Sequence, residues 1–285
     1  MRVLVVGSTG IIGRKLIANL SQGGCGVVSA SRGRNSVEHN SIRIDLATIS
    51  EDVKIIEKLE NFDSAVLCAA VTNLRECERD PKVTSQINIS AQITLTKALL
   101  DTGTQRVIFL SSNRVFDGKS ANTSKFAKYS FTTEYGRQKA RAETELLKLG
   151  RAVRVIRLTK VLTEDNPRLN NWVSKLKSGR EVKAFVDAMV SPVTLDDTVK
   201  VISEVVESEG ESINQFSAID EISYFEMAQF VAKFLGVDER QVVAQNAEEV
   251  GEKPLAHASL ACSKFKSVSP SSSIMALQKV LEKMI

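Results

Sequence analysis

Two polar side chains, Tyr135 and Lys139, fall on the inward stripe of a helix predicted from Thr132 to Leu149. The apolar part of this stripe consists of Ala142, Leu146 and Leu149. A phenol and an ammonium one helical turn apart on one face are neighbours in space. The ammonium is expected to lower the pKa of the phenol from its reference of about 10, so Tyr135 would exchange a proton with a carbonyl or an alcohol. The same residues would also fit a half-buried tyrosine and a lysine whose stem covers apolar surface.

A glycine-rich turn from Gly7 to Gly13 follows the first predicted strand, Arg2 to Val6, and opens a helix from Ile11 to Leu20. This sequence of elements predicts a phosphate-binding loop, because N–H groups at a helix N-terminus attract the pyrophosphate of a dinucleotide. The first glycine permits the tight turn, the second admits the pyrophosphate, and the third lets helix and strand pack closely. The predicted cofactor contacts are Gly7, Thr9, Gly10, Ile11, Ile12 and Gly13.

The end of the second predicted strand, Gly26 to Ala30, indicates which dinucleotide fits. An acidic residue there would accept the ribose 2′-hydroxyl of NAD, but this chain has Ser31-Arg32-Gly33-Arg34. Guanidinium binds phosphate in a bidentate fork, so Arg32 and then Arg34 are predicted to bind the 2′-phosphate of NADP, with Ser31 beside them. NAD stays the alternative cofactor, because both arginines would also fit as solvated loop residues.

Three further strands are predicted to bring small or polar residues to the cofactor. Asp45 and Leu46 follow a strand from Ile42 to Ile44 and are placed beside the adenine. The strand Ser64 to Ala70 leads into Thr72, and its last residues, Ala69 and Ala70, would let the cofactor lie close to the backbone. The strand Gln105 to Leu110 ends in Ser111-Ser112. Ligands bind at the carboxyl ends of parallel strands, so these groups are expected to converge on one cleft.

Alternating strands and helices predict an α/β fold, a Rossmann-type doubly wound parallel sheet with right-handed crossovers and a small carboxyl-terminal substrate-binding lobe. Residues 1–158 are assigned to an NAD(P)-binding domain, to which residues 193–217 are expected to return. Residues 159–192 and 218–285 are assigned to the lobe.

Composition narrows the class of protein. With 285 residues, 43% hydrophobic and 25% charged, the chain is typical of a globular protein, and its net charge of +4 without dense basic runs argues against nucleic-acid binding. A start at MRVLVVG and the lack of a long apolar run predict a cytoplasmic protein with no membrane partner. Two histidines and four cysteines without a Cys-x-x-Cys pair predict no metal site, although carboxylate-based magnesium binding stays open.

With the glycine turn, the strand ending in Ser111-Ser112 and the Tyr135–Lys139 pair in this order, the chain resembles the extended short-chain dehydrogenase/reductases. Within them it is most similar to the dTDP-4-dehydrorhamnose reductase family. The similarity also covers segments 69–88, 107–118, 186–197 and 222–236.

The resemblance implies a catalytic set of Ser112, Tyr135 and Lys139, the last two also contacting the cofactor, in an NADPH-dependent reductase of a nucleotide-activated keto sugar. Substrate contacts are expected from Thr72, Asn113, Arg168 and Trp172. Reductases of the family commonly have Asp-Tyr after the catalytic Ser or Thr, where this chain has Asn113-Arg114. Alternatives are a nucleotide-sugar epimerase that retains its cofactor and a non-catalytic NADP-binding regulatory protein. A homodimer is the candidate assembly.

Overall fold

A parallel sheet lies at the centre of the protein, which a computed structural model describes over residues 1–33, 40–49 and 59–285. Its strands are β1 (Arg2–Val6), β2 (Gly26–Ser31), β3 (Ser41–Arg43), β4 (Ser64–Leu67), β5 (Val107–Ser112), β6 (Val153–Leu158) and β11 (Ile213–Phe216). They lie in the order β11-β6-β5-β4-β1-β2-β3, and every neighbouring pair is parallel. The chain switches direction across the sheet beside β1, which is where doubly wound sheets bind ligands. The predicted Rossmann-type α/β fold is confirmed.

Helices bury both faces of this sheet, so its strands are apolar on both sides. On one face, α1 (Ile11–Gln22) and α7 (Leu195–Glu207) pack with Val3 and Val5. On the other face, α4 (Ala91–Asp101) and α5 (Glu134–Leu147) pack with Leu4 and Val6. Helix α5 therefore lies against the sheet with its polar stripe next to the carboxyl ends of the strands.

The helical segment from Pro81 to Asp101 is interrupted. It consists of α3 (Pro81–Ser85), a π-helical turn (Gln86–Ser90) and α4, and a short unpredicted helix, α2 (Leu74–Arg79), precedes it. Asn88 lies fully buried inside the π-turn, where its amide accepts from the N–H of Val71 at 2.8 Å and donates to the carbonyl of Val71 at 2.9 Å. Such π-helical turns within α-helices frequently occur at functional sites, and this one directs Asn88 towards the loop after β4.

A second core lies beyond β6. It is built from α6 (Pro167–Lys177), α8 (Tyr224–Phe234) and α9 (Ser273–Met284), with Trp172, Leu176, Met227, Val231 and Leu281 among its buried residues. Three short strand pairs border it: β7 (Val161–Leu162) with β10 (Val193–Thr194), β9 (Met189–Val190) with β12 (Ile222–Ser223), and β8 (Val182–Phe185) with β13 (Val242–Gln245). Helix α8 begins with a capping box between Ser223 and Glu226.

Two strands that end at the cleft have predicted ends that need correction. Strand β4 ends at Leu67 rather than Ala70, because Cys68 and Ala69 both donate to the carbonyl of Val6. Strand β5 runs to Ser112 rather than Leu110, so both serines belong to the strand. Arg34, a predicted cofactor contact, lies outside the described residues. No helix in the described part of the chain is long and apolar enough to cross a membrane.

Candidate active site

The glycine turn after β1 has no room for side chains at two of its glycines. Gly7 has φ +88°, and a Cβ there would lie 2.7 Å from the backbone nitrogen of Ala69. A Cβ on Gly13 would lie 2.2 Å from the carbonyl oxygen of Gly7. The turn therefore packs directly against the end of β4 and against the first turn of α1, and the strand–turn–helix contact holds it in the shape that a pyrophosphate requires.

A groove of about 470 Å³ runs from this turn to the end of β2. The predicted cofactor residues that line it are Gly7, Thr9, Gly10, Ser31, Arg32, Asp45, Leu46, Ala69 and Ala70. Ser31 donates to the carbonyl of Gly33 at 2.7 Å, and Arg43 donates to the carbonyl of Arg32 at 3.1 Å, so backbone contacts fix the turn that carries Arg32. Its shape and small residues fit a dinucleotide with its pyrophosphate at the glycine turn.

Three predicted contacts at the start of α1, Ile11, Ile12 and Gly13, do not line this groove, and Tyr135 and Lys139 line a neighbouring cleft instead. The side chain of Ile11 is 49% exposed and faces another surface depression, although the residue is the first of α1. Ile12 lines the neighbouring cleft that contains Tyr135.

Ser112, Tyr135 and Lys139 line one cleft of about 540 Å³. This cleft shares Cys68, Ala70 and Thr72 with the groove, so the two spaces adjoin. The predicted catalytic residues therefore lie where a dinucleotide in the groove would reach.

Helix α5 is fixed at the point where it presents Tyr135. Thr133 caps the helix, its hydroxyl accepting from the N–H of Gly136 at 3.2 Å. A Cβ on Gly136 would lie 2.1 Å from the carbonyl oxygen of Arg114, so α5 touches the turn that follows Ser112. Gln138 donates to Thr84 at 2.9 Å and accepts from Asn88 at 2.7 Å. These contacts join α5 to the turn after Ser112 and to the interrupted helix that contains Thr84 and Asn88.

Lys139 is only 3% exposed. Its Nζ donates to the carbonyl of Leu110 at 2.8 Å and lies 4.3 Å from the ring centroid of Phe109. Burial lowers the pKa of the ammonium from 10.5 to about 8, and the nearby Glu143 carboxylate partly opposes this. Lys139 thus keeps its charge at neutral pH but loses it more readily than a surface lysine.

The pKa of Tyr135 moves in the direction opposite to the one expected from the sequence. Burial raises it, while a hydrogen bond from Ser112 and the charge of Arg114 lower it, and Lys139 is not among the groups that lower it. The Lys139 ammonium lies 5.9 Å from the Tyr135 ring centroid. Desolvation of the phenolate outweighs neighbouring charges when the hydroxyl is buried. The phenol is therefore protonated at neutral pH.

A buried ion pair supports the site from below. The carboxylate of Glu143 pairs with Arg157 at 2.7 Å, and the two side chains are 0% and 1% exposed. Glu143 also accepts hydrogen bonds from Ser111 and, at 2.9 Å, from Tyr129. This ion pair was not predicted. The sequence signal was Glu143 itself: it lies one turn beyond Lys139 on the same stripe, and a third polar residue on that stripe indicates a buried polar network.

Three of the residues predicted to contact the substrate, Thr72, Asn113 and Arg168, line the cleft. Trp172 does not: it is 3% exposed and belongs to the core behind the cleft, because its large ring fills the space between α6 and α8. Two aromatic residues that were not predicted, Phe185 and Tyr224, line the cleft instead. The Arg168 guanidinium lies 4.3 Å from the Tyr224 ring centroid.

Residues 252–260, which we call the strap, cross the cleft between its two walls. Glu252 pairs with Arg75 at 2.5 Å, and Asn113 donates to the carbonyl of Ala258 at 2.8 Å. From the other wall, Glu221 accepts from the N–H groups of Ala258 and Ser259 at 2.8 and 2.9 Å. Glu221 also pairs with His257 at 2.5 Å. The strap has no regular hydrophobic periodicity, so the sequence did not predict that this segment would cross the cleft.

The parallel doubly wound sheet, the glycine turn after β1 and the Ser–Tyr–Lys set beside β5 are the arrangement of the extended short-chain dehydrogenase/reductase class. The pattern of the family described as RmlD substrate binding domain matches residues 1–285. The chain belongs to this family.

Known proteins with similar sequences and structures agree with this assignment. A probable low-salt glycan biosynthesis reductase, Agl14, of Haloferax volcanii is 26% identical over 67% of this chain and 66% of its own length, slightly less than two thirds. The structure of dTDP-4-dehydrorhamnose reductase from Bacillus anthracis in complex with NADP has a TM-score of 0.85 at 17% identity, covering 99% of both chains. UDP-glucose 4-epimerase from Thermotoga maritima with UDP-glucose has a TM-score of 0.84 at 19% identity, covering 99% of this chain and 98% of that one.

Proposed function

We propose that the protein is an NADPH-dependent reductase of a nucleotide-activated keto sugar. The observation that carries the proposal is the convergence of Ser112, Tyr135 and Lys139 in a cleft that adjoins the glycine-lined groove. These side chains would give one carbonyl group a proton donor, a second hydrogen-bond donor and a nearby cation, which supports the proposal.

The chemistry follows from these positions. NADPH held by the glycine turn and Arg32 would supply the hydride that, together with one proton, converts the ketone into an alcohol, leaving NADP⁺. Tyr135 donates its proton to the carbonyl oxygen, and its raised pKa keeps that proton available at neutral pH. Ser112 donates a hydrogen bond to the same oxygen, which stabilises the developing negative charge. Lys139 holds the nicotinamide ribose.

Preference for NADP over NAD rests on the end of β2. Arg32 lines the groove there with its backbone fixed by Arg43, and guanidinium is suited to the 2′-phosphate. Arg34 is the second candidate. The similar Bacillus anthracis reductase was crystallised with NADP.

The nucleotide of the substrate is assigned to the lobe, residues 159–192 and 218–285. Five cationic side chains line the cleft, Arg114, Lys139, Lys160, Arg168 and Lys253, against one acidic side chain, Glu252. Such an excess of positive charge favours an anionic ligand, and a diphosphate meets it. Phe185 and Tyr224 offer aromatic surfaces beside Arg168 on which a base could stack.

An epimerase is the second candidate, favoured by the similarity to the Thermotoga maritima epimerase structure. Such an enzyme would keep its cofactor tightly bound and return it to its starting state in each turnover. Stoichiometric cofactor in the purified protein would favour this function over the reductase.

Calorimetry with UDP, dTDP, GDP and CDP in the presence of NADP tests the proposal without knowledge of the sugar. We expect one or more to bind, and binding to weaken as salt rises, because exposed charges are screened over about 8 Å at physiological ionic strength. NADPH oxidation would then be measured with keto sugars on the nucleotide that binds. Tight NADP binding without binding of any of the four nucleotides would contradict the proposal.

A further inference from the structure

Arg114 is one of the cations of the cleft, and no acidic side chain in the described part of the chain forms an ion pair with it. Its Nη1 donates to the carbonyl of Lys253 at 3.1 Å, a neutral acceptor in the strap. The guanidinium lies in a partly buried position, where burial lowers its pKa. A guanidinium has five N–H donors in a planar fork, so most of its capacity is left for a ligand.

The other cations of the cleft have partners or different surroundings. Lys139 donates to the carbonyl of Leu110, and Lys253 pairs with Glu78 at 3.2 Å. Arg168 lies against the aromatic rings of Tyr224 and Phe185, at the end that we assign to the nucleotide. Lys160 is exposed at the rim. Arg114 is therefore a cation within the cleft that no ion pair in the described residues neutralises: Glu252 acts on it electrostatically, but the Glu252 carboxylate pairs with Arg75.

The position of Arg114 relates it to the reacting group. Arg114 follows Ser112 by two residues, and its backbone N–H donates to the Ser112 hydroxyl at 3.2 Å. Its backbone carbonyl contacts the first turn of α5 at Gly136. The Tyr135 phenol and the Arg114 guanidinium are close enough to influence each other electrostatically. A ligand group on Arg114 would thus belong to the sugar that presents its carbonyl to Tyr135.

We propose that Arg114 binds a carboxylate on the sugar that is reduced, so that the substrate is a nucleotide-linked keto sugar acid. This inference rests on the proposed function and specifies its substrate class. A carboxylate matches the guanidinium fork with two parallel hydrogen bonds and neutralises its charge. A neutral sugar would hydrogen-bond to the fork but would leave a desolvated cation unpaired when the substrate fills the cleft.

Two ligands that differ in one carboxylate test the inference. For the nucleoside diphosphate that binds best, the glucose and glucuronate derivatives are compared by calorimetry in the presence of NADP; for UDP these are UDP-glucose and UDP-glucuronate. We expect the native protein to bind the glucuronate derivative on the order of ten- to a hundredfold more tightly, the range for a hydrogen bond to a charged group. Arg114→Gln should bring the ratio close to one, and Arg114→Lys, which keeps the charge but loses the fork, should give an intermediate ratio.

Arg141→Gln is the matched control, because Arg141 lies on α5 outside the cleft and pairs only with Glu145 among the described residues. It should leave the ratio unchanged. Equal binding of both derivatives to the native protein overturns the inference alone. An equal loss of UDP, UDP-glucose and UDP-glucuronate binding in Arg114→Gln also overturns it and assigns Arg114 to the diphosphate. Failure of every nucleotide to bind overturns the proposed function itself. Thermal unfolding of each variant shows whether it is folded.

Discussion

At the residue scale, the chemistry of Tyr135 depends on desolvation. Burial keeps the phenol protonated, while Ser112 and Arg114 stabilise the phenolate that forms when the proton leaves. A group that is protonated in the resting state and has partners for its anion is suited to general acid catalysis. Lys139 lies one helical turn away, and its ammonium contacts the carbonyl of Leu110 and the ring of Phe109.

Tyr135→Phe is expected to lower turnover by roughly a hundred- to ten-thousandfold, the usual contribution of a general acid, while NADP binding changes little. The ring still fills its place against the sheet, so only the hydroxyl is lost. Steady-state kinetics with NADPH titration measure both effects. Turnover that is unchanged in a variant with normal NADP affinity would remove Tyr135 from the mechanism.

Lys139 gives the site a pH dependence. Its pKa in the free protein is about 8, and a bound cofactor that accepts its proton in a hydrogen bond favours the charged form. NADP affinity should therefore be highest well below pH 8, where Lys139 is protonated. Above pH 8 it should fall by up to about tenfold per pH unit, until the pH reaches the pKa of Lys139 in the NADP complex. Fluorescence titrations between about pH 6.5 and 9.5 test this. Lys139→Gln should bind weakly at all pH values, and the same slope in this variant would exclude Lys139 as the titrating group.

Arg32→Ala is expected to weaken NADPH binding by about 1.5–3 kcal/mol and to leave NADH binding almost unchanged, because only NADPH carries the phosphate. Lys148→Ala, at the solvent-exposed end of α5, serves as a control for loss of a positive charge. Equal losses for the two cofactors would show that Arg32 does not bind the 2′-phosphate and would direct attention to Arg34.

Residue patterns predicted which side chains meet, but not their electrostatics. Helical spacing was sufficient to place Tyr135 and Lys139 on one face, because that spacing is a local property of the helix. The direction of the Tyr135 pKa shift depends on how deeply the hydroxyl is buried, which tertiary packing decides. Trp172 failed as a substrate contact for the same reason: its helix was amphipathic, but only packing shows which face borders the cleft.

At the element scale, α5 holds three polar side chains one turn apart, Tyr135, Lys139 and Glu143, all nearly or fully buried. The innermost, Glu143, is stable there because Arg157 of β6 supplies the opposite charge and Ser111 of β5 donates a hydrogen bond. Helix α5 is thereby joined to the two strands whose ends border the catalytic cleft.

Glu143→Ala is expected to lower the free energy of unfolding by about 3–5 kcal/mol, because it leaves Arg157 as an uncompensated buried charge. Glu145→Ala on the same helix is the control. Its carboxylate pairs with Arg141 and Lys148, which are more than half exposed, so the loss should stay below about 1 kcal/mol. Urea denaturation measures both. Similar losses in the two variants would show that the buried pair adds nothing beyond a surface pair.

Elements with strong local signals were predicted closely, and those that depend on distant contacts were not. β1 matches its predicted bounds because a run of β-branched and other apolar residues defines it. The π-turn around Asn88 was missed because its cause is a hydrogen bond to Val71, seventeen residues away in sequence. The two-residue strands beyond β6 were missed because so short a segment has no periodicity.

At the scale of the whole molecule, the strap connects the parts that must meet around a substrate. On one wall, Glu252 of the strap pairs with Arg75 of helix α2, and the carbonyl of Ala258 accepts a hydrogen bond from Asn113 in the turn after Ser112. On the other wall, Glu221 holds the middle of the strap with three contacts. The groove for the dinucleotide is formed by β1, β2 and β4 and has no residue from the strap among its lining. Loss of the contacts that hold the strap should therefore change the affinity of the cleft for its ligand more than the affinity of the groove for NADP.

Glu221→Ala is expected to weaken binding of the nucleoside diphosphate by about tenfold or more, equivalent to ~1.4 kcal/mol, with NADP affinity unchanged within about twofold. The removed carboxylate holds the backbone of Ala258 and Ser259, so hydrogen exchange in the strap should accelerate while exchange in β1 and β4 does not. Glu239→Ala, at an exposed position of the lobe, provides the control and should alter neither measurement. Accelerated exchange with unchanged nucleotide affinity would show that the strap covers the cleft without contributing to binding. Equal losses for nucleotide and NADP would instead show that the two sites form one cooperative unit, because release of one wall would then disturb both.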